Sequence, residues 1–342
     1  MTNTVTVTRM VTLASRPAKE PGPENFALTT SELPELGDGQ LLVRNIFMSV
    51  DPAMRGRMET TEKHYTTNFV VGAPLDGSAI GVVLQSNDPA IEVGAHVRHR
   101  FGWREHAVVD SVGAAVVDPS RAPLQDWLGI LGQTGFTAYV GLTRAGELTA
   151  GDTVFVSAAA GAVGSAVGQF ARKLGADRVI GSAGGKEKAS LLVDDLGFDA
   201  GIDYRNDLPK GLAEAAPDGI DLYFDNVGGN HLVAALDALR ERGRVALCGM
   251  ISDLRDRDAS PPIGHLIQAT LKRLTIRGFI VRDHEDLRTE FEDRVSGWLR
   301  DGSITSRTTV TSGLENAPDA FLSMLSGGNV GKALVQISDE NG

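Results

Sequence analysis

The spacing of apolar and polar positions changes along this chain. Up to about residue 125 the runs are short and close to period two: Val5-Thr6-Val7-Thr8, Gln40 to Ser49, Gly81 to Gln85, Ala95 to Arg100 and His106 to Val109. Such alternation reads as half-buried strands, and Gly37-Asp38-Gly39, Asn87-Asp88-Pro89 and Val93-Gly94 supply the turns between them. A compact antiparallel barrel or sandwich with long connections is expected here. From Asp51 to Gly77 there is little periodicity of either kind, which marks a long irregular connection of the sort that often carries function.

Beyond residue 125 strand-like and helix-like runs alternate. A strand over Thr153–Ser157 leads into helical spacing at Val167, Phe170, Ala171 and Leu174, closed by Gly175. A strand at Arg178–Ser182 and a helix at about Lys186–Leu196 follow. Next come a strand at Ala200–Asp203, a helix at about Leu208–Ala215, a strand at Ile220–Phe224 and a helix at about Asn230–Arg240. Strands at Arg244–Leu247 and Leu274–Ile280 and a helix at Leu287–Arg300 complete the series. This is the pattern of a doubly wound parallel sheet, an α/β fold. The final 40 or so residues return to a strand (Thr308–Thr311), a helix (Asn316–Leu325) and a strand (Lys332–Ile337). The expected domains are therefore 1–125, 126–300 and a C-terminal return at 301–342 to the first.

Inside the second region lies Ala159-x-Gly161-x-x-Gly164, a dinucleotide fingerprint with alanine at its first glycine position. A strand precedes it and a helix follows, the context such a motif needs. The chain must turn sharply, side chains must be absent where a pyrophosphate approaches, and the helix start offers free N–H groups to the phosphates. NAD sites usually carry an acidic residue about 20 positions further on, for the ribose 2′-hydroxyl. Here the second strand ends in Gly181-Ser182-Ala183-Gly184-Gly185, without Asp or Glu, and Lys186, Lys188 and Arg205 lie where a 2′-phosphate needs positive charge. That argues for NADP(H), with Lys186 reading more simply as a solvated helix start.

Composition narrows the classes. A chain of 342 residues suits two domains, and a net charge of −11 with no long basic block makes nucleic acid an unfavoured partner. No apolar run reaches membrane-spanning length and no secretory apolar segment opens the chain, so a cytoplasmic protein without a membrane partner is expected. The single cysteine, Cys248, excludes an internal disulfide and a multi-cysteine zinc site; the seven histidines show no ligand spacing, so no metal is expected.

Six segments together resemble one family over nearly the whole chain. They are Ser49-Val50-Asp51-Pro52-Ala53-Met54-Arg55-Gly56-Arg57-Met58, Leu131 to Tyr139, Ala158 to Gly164, Phe224-Asp225-Asn226-Val227-Gly228-Gly229, Cys248 to Ser252 and Gly328-Asn329-Val330-Gly331-Lys332. The chain resembles the zinc-independent medium-chain dehydrogenase/reductases, in the branch of prostaglandin, alkenal and curcumin reductases. The resemblance implies a GroES-like β-barrel plus a Rossmann domain, NADPH as cofactor and a homodimer. It implies reduction of the C=C bond of an apolar α,β-unsaturated aldehyde or ketone, by hydride transfer to the β-carbon and protonation of the enolate. By position, Gly161, Ala162, Val163 and Gly164 would lie along the pyrophosphate, and Lys188 and Tyr204 would hold the 2′-phosphate with Arg205 close by. Asn226 would sit beside the ribose. Cys248, Met250 and Ser252 would line the cofactor, Phe279 and Val281 would flank the nicotinamide, Gln133 and Thr134 would touch it, and Asn329 would bond the pyrophosphate or nearby ribose.

Two positions depart from the family pattern. Ala53 stands where the family often has tyrosine, and Leu254 where it commonly has a tyrosine whose hydroxyl bonds the substrate carbonyl. Leucine donates no hydrogen bond, and losing one oxyanion donor costs on the order of 10²–10³ in rate. Replacement donors would be the cofactor ribose, Tyr65, His64 or Arg282, with Tyr65 the catalytic candidate. Alanine and leucine together suggest a wider, more apolar site for bulky enones. Trp103 reads either as a pocket wall or as core, Asp51 and Arg55 as an internal ion pair, and Cys248 as a small buried residue rather than a nucleophile. The competing readings are an NADPH quinone oxidoreductase of the same superfamily and a catalytically weak NADPH-binding sensor or structural protein.

Overall fold

The computed structural model describes residues 5–60, 66–249 and 263–340. They divide into two compact units, one formed by the chain up to Leu128 with Thr308 onward, the other by Gly129–Arg307.

The first unit is mainly antiparallel. Strand β1 (Val7–Leu13) pairs with β2 (Phe26–Glu32), Val7 opposite Glu32 and Leu13 opposite Phe26. Strand β3 (Gln40–Ser49) is the spine of a second sheet: β4 (Ala79–Ser86) and β6 (His106–Asp110) both pair with it, β5 (His96–His99) pairs with β4, and β7 (Ala115–Val117) with β5. Alternation along β3 and β4 buries Leu41, Val43 and Val83 against Val97, Ala107 and Val109. Among its described residues the irregular connection holds one short helix, α1 (Ala53–Arg57). Trp103 is core: it is 1% exposed, stacked on Phe26 and edge-on to Phe321, with ring centroids 6.2 Å away in both cases.

Asp51 and Arg55 do not pair. The carboxylate of Asp51 accepts from Lys332 Nζ at 2.8 Å, while α1 carries Arg55 to Glu59 at 3.0 Å and to the carbonyl of Lys19. One helical turn separates Arg55 from the strand end that holds Asp51, and a lysine from the far end of the sequence takes the place beside the carboxylate.

The second unit begins with α2 (Gln133–Val140) and a six-stranded parallel sheet. Its strands are β8 (Thr153–Val156), β9 (Arg178–Ala183), β10 (Ala200–Asp203), β11 (Ile220–Asp225), β12 (Leu239–Leu247) and β13 (Thr275–Gly278), in the order β10-β9-β8-β11-β12-β13. Counted from β8 this is 3-2-1-4-5-6, the doubly wound order whose direction reverses between the first and fourth strands. The α/β fold expected from the sequence is thus present. Helices α3 (Ala162–Lys173), α4 (Lys186–Asp194), α5 (Leu208–Ala215), α6 (Gly229–Ala238), α7 (Ile267–Leu271) and α8 (Arg288–Arg300) connect or follow the strands. Buried on both faces, β8 and the Leu222–Phe224 stretch of β11 read as apolar runs, and Phe155 stacks on Tyr223 across them at 5.1 Å.

Several expected boundaries shift. The helix expected to reach Arg240 ends at Ala238, because Leu239 turns extended and pairs with Ile220 before a bulge carries β12 onward. The last strand stops at Gly278, and Phe279 leaves it to set its ring edge-on to Phe224 at 6.4 Å. The chain then returns to the first unit, where β14 (Thr308–Ser312) pairs in parallel with β15 (Lys332–Gln336), and β15 pairs antiparallel with β3. Helix α9 (Ala317–Leu325) packs Phe321 and Met324 into that unit's core.

Candidate functional site

The site grows from the carboxyl ends of β8 and β11, where the strand order reverses. Leaving β8, the chain passes through Ser157 and through Ala158 at φ +49°, then into the cap residue Gly161 of α3. The turn is pinned on both sides: Ala159 N–H donates to Ser182 O (2.9 Å), and Ser157 N–H to Phe224 O (3.2 Å). A Cβ on Gly164 would lie 2.4 Å from Ala158 O and 2.7 Å from Ala159 Cα, so only glycine lets the helix sit this close to the turn. On Gly161 the nearest atom would be Ala158 O at 3.2 Å. No side chain caps α3, and its first internal bond runs from Ser165 N–H to Gly161 O. The N–H groups of Ala162, Val163 and Gly164 therefore lack intrahelical acceptors at the positive end of the helix dipole, the arrangement that receives phosphate. Gly161, Ala162 and Val163 are part-exposed and Gly164 is buried, so the cradle opens outward while its base stays packed.

A second cluster forms at the carboxyl ends of β9 and β10. Tyr204 and Arg205 follow β10, and Lys188 lies in the first turn of α4. A Cβ on Gly184 would lie 3.0 Å from the Tyr204 hydroxyl, and one on Gly185 3.5 Å from Arg205 Nη1. Burial, with some repulsion from Arg205, lowers the pKa of Lys188 below the usual lysine value. The carboxylate of Asp203 is committed locally, accepting from the N–H groups of Gly185 (2.8 Å) and Arg205 (3.1 Å) and from Asn206 Nδ2 (3.3 Å). A cation, a guanidinium and a phenol thus gather at a glycine turn whose acidic neighbour is engaged with backbone. This is a donor set for a phosphate monoester rather than for a sugar diol.

Sequence reading missed the group that ties the strand ends together. Asp225, the last residue of β11, accepts on Oδ1 from Tyr223 Oη (2.7 Å) and from the N–H groups of Val227 (2.9 Å) and Gly228 (2.7 Å). Its backbone carbonyl accepts from Cys248 and Gly249 N–H, so the loops after β11 and β12 hang on one residue. Burial raises this carboxyl above its ordinary pKa, although the hydrogen bonds it accepts oppose the shift. The only hint in the sequence was its place inside Phe224–Gly229. Asn226, 7% exposed, donates from Nδ2 to Ser157 O (2.8 Å) and so bridges the ends of β8 and β11.

The remaining candidates scatter over the second unit. The part-exposed Cys248 carries a thiol that burial and Asp225 push up to about 12, which leaves it protonated at neutral pH. Gln133 is exposed at the start of α2 with Arg288 Nη2 3.5 Å from its carbonyl oxygen, and Thr134 Oγ1 donates to Gly129 O (2.9 Å). Phe279 packs on Phe224, and Val281 opens the turn after it. In the first unit Asn329 donates to Gly331 O at 2.7 Å. Tyr65, His64, Met250, Ser252 and Leu254 lie outside the described residues. Among the described residues no three His, Cys, Asp or Glu side chains gather as a metal site, and no helix is long and apolar enough to cross a membrane.

A glycine cradle at the switch point of a parallel sheet, feeding a helix N-terminus, defines a dinucleotide-binding protein. Comparison with known proteins narrows the class. Residues 9–117 match the family described as N-terminal domain of oxidoreductase, and residues 162–296 the one described as zinc-binding dehydrogenase. The chain is 41% identical over 335 residues to a putative NADP-dependent oxidoreductase of Bacillus subtilis (97% of this chain, 98% of the other). It is 39% identical over 312 residues to an NADP⁺-dependent 2-alkenal reductase of Nicotiana tabacum (90% of each). With an NADPH-dependent curcumin reductase of Escherichia coli it shares 37% over 337 residues (96% of each). The crystal structure of CurA from Vibrio vulnificus in complex with NADPH superposes with a TM-score of 0.91 at 40% identity, over 97% of this chain and 99% of that one. The chain belongs to the zinc-independent medium-chain dehydrogenase/reductase family.

Proposed function

We propose that this chain uses NADPH to reduce the C=C bond of α,β-unsaturated aldehydes and ketones. Its class, an NADP-dependent oxidoreductase, follows from the family it belongs to. The observation that carries the cofactor assignment is the meeting of Lys188, Arg205 and Tyr204 at Gly184–Gly185, with Asp203 engaged elsewhere. The C=C specificity is supported by the relatives named for alkenal and curcumin reduction.

In this reading the N–H groups of Ala162, Val163 and Gly164 take the pyrophosphate, and Gly161 keeps its path clear. Lys188 and Arg205 neutralise the 2′-phosphate while Tyr204 donates to it. Asn226 faces the ribose and Cys248 lines the cofactor, while Gln133, Thr134, Phe279 and Val281 bound the nicotinamide. NADPH, when bound, supplies the hydride that reaches the β-carbon. Charge then develops on the carbonyl oxygen as an enolate, which a hydrogen-bond donor stabilises before the α-carbon takes a proton. Bulky apolar enones are the preferred substrates. The protein works in the cytoplasm as a homodimer; β13 is a sheet edge, and Ile267 and Leu271 nearby in sequence are 56% and 60% exposed, features that suit association.

The test is anaerobic NADPH oxidation against 2-alkenals, aryl enones and quinones, with products identified by mass spectrometry. A saturated carbonyl formed one-to-one with NADP⁺ supports the reading. Turnover confined to quinones, or NADPH binding without turnover, refutes it.

A further inference from the structure

His231 is a buried polar side chain near the phosphate cluster with no part in the cofactor contacts proposed. It sits in the first turn of α6, 7% exposed, and its Nε2 is buried with no hydrogen-bond partner among the described residues. Burial pulls its pKa down to about 4, so the ring is neutral. A buried ring whose nitrogen goes unpaired is retained for something other than that nitrogen's bond within the fold. What the ring meets is Tyr204: the centroids are 5.0 Å apart and the planes cross at 68°, an edge-to-face contact.

Tyr204 needs such a wall. It is 38% exposed and lies just beyond a strand end, where an aromatic side chain has room to change rotamer. Yet its hydroxyl stands over Gly184, and the neighbouring Arg205 reaches over Gly185. We propose that His231 is a positioning residue for NADPH selection, its ring braced against Tyr204 so that the phenol stays beside Lys188 and Arg205 to meet the 2′-phosphate. The inference rests on the reading of this turn as the 2′-phosphate site. It adds a residue that acts through the ring contact and touches no cofactor.

The test is fluorescence titration of the full-length protein with NADPH and, separately, NADH, which lacks the 2′-phosphate. His231→Ala removes the brace, and His231→Phe keeps a ring without the nitrogen. An edge-to-face contact of this kind corresponds to about 3–10-fold. His231→Ala is expected to raise the Kd for NADPH by that factor while the Kd for NADH stays within about 2-fold, and His231→Phe to stay near the parent for both. In a Tyr204→Ala background, His231→Ala adds nothing further. Unchanged NADPH binding in His231→Ala, equal losses for both cofactors, or His231→Phe behaving like His231→Ala would each overturn the proposal. A parent that binds NADPH no better than NADH overturns the 2′-phosphate reading itself, and this inference with it. A discriminating parent with an indifferent His231→Ala overturns the inference alone.

Discussion

Replacing Gly164 by alanine tests the claim that backbone proximity, rather than chemistry, fixes the fingerprint. The added methyl would lie 2.4 Å from Ala158 O, 2.7 Å from Ala159 Cα and 2.9 Å from Ala158 C, all of them main-chain atoms. No side chain can swing aside. Ala158 is already at positive φ, and Ala159 is tied to Ser182, so the turn has little freedom to retreat. Restoring an ordinary contact of about 3.5 Å moves the start of α3 outward by about 1 Å. Val167, Phe170 and Ala171 on the same helix, each 0% exposed, resist that movement. Overpacking of this kind costs about 1–3 kcal/mol, or roughly 2–12 °C in Tm for a unit of this size. Gly161→Ala is the control. Its methyl meets one oxygen at 3.2 Å, so about 0.5 kcal/mol or less is lost, while bulk is added at the cap residue of α3, where the proposed pyrophosphate path runs. Thermal melts without cofactor and NADPH titrations separate the two: Gly164→Ala lowers Tm, whereas Gly161→Ala keeps Tm and weakens NADPH at least about 10-fold. Equal Tm values for Gly164→Ala and the parent would refute the packing argument.

Three further outcomes follow from the geometry. His99 Nδ1 accepts from Phe101 N–H (3.1 Å), so Nε2 carries the proton toward Asn45 Oδ1 (2.9 Å); burial, with help from Arg104, pulls its pKa down to about 3. Its folded pKa is depressed below the unfolded value of about 6.5, so the unfolded chain binds the extra proton between those values and stability falls as pH drops. Between pH 7 and pH 5 urea melts should show about 2 kcal/mol of loss from this group, absent in His99→Gln. Cys248, its thiol pushed up to about 12, should react with iodoacetamide at pH 8 on the order of 10³-fold more slowly than a free thiol and label readily only in denaturant; native labelling at the free-thiol rate would contradict the placement. Lys188→Ala should lower kcat/KM for NADPH about 10–100-fold and leave NADH unchanged, while the exposed Lys186→Ala changes neither by more than about 2-fold.

The residues that announce themselves in sequence are those whose burial is repetitive. Strands β8 to β11 and helix α5 are plain because both sheet faces are covered and the apolar runs stand between glycines. Strand β2 is silent: Leu28 to Glu32 are exposed, so no alternation marks them. Helix α2 carries a glycine whose Cβ would strike Ile130 O at 1.8 Å, and nothing local shows that the close approach is to a neighbouring turn rather than a loop. The start of β12 hides because Leu239 follows α6 with no polar or glycine break. In the site, the glycine cradle and Lys188 could be read from spacing. Asp225 and His231 could not, since their partners come from three strand ends and from Tyr204, which sequence alone does not bring together. The Asp51–Arg55 pairing failed for the same reason: the true partner, Lys332, lies 281 positions away.

That last separation has a consequence for how the protein is made. Strand β15 lies between β14 and β3, and Lys332 neutralises Asp51 just beyond β3, so the first unit lacks two strands and a counter-charge until residues 308–336 have been synthesised. The second unit, Gly129–Arg307, is continuous, and its described strands are all made by Gly278, before β14 begins. At ribosomal rates of about 5–20 residues per second the segment up to Leu128 waits on the order of 10 s or more before Leu334 and Val335 are made to pair with Ser49 and Met48. The order of synthesis is therefore the reverse of the order of closure: the unit begun earlier finishes folding after the one inserted within it.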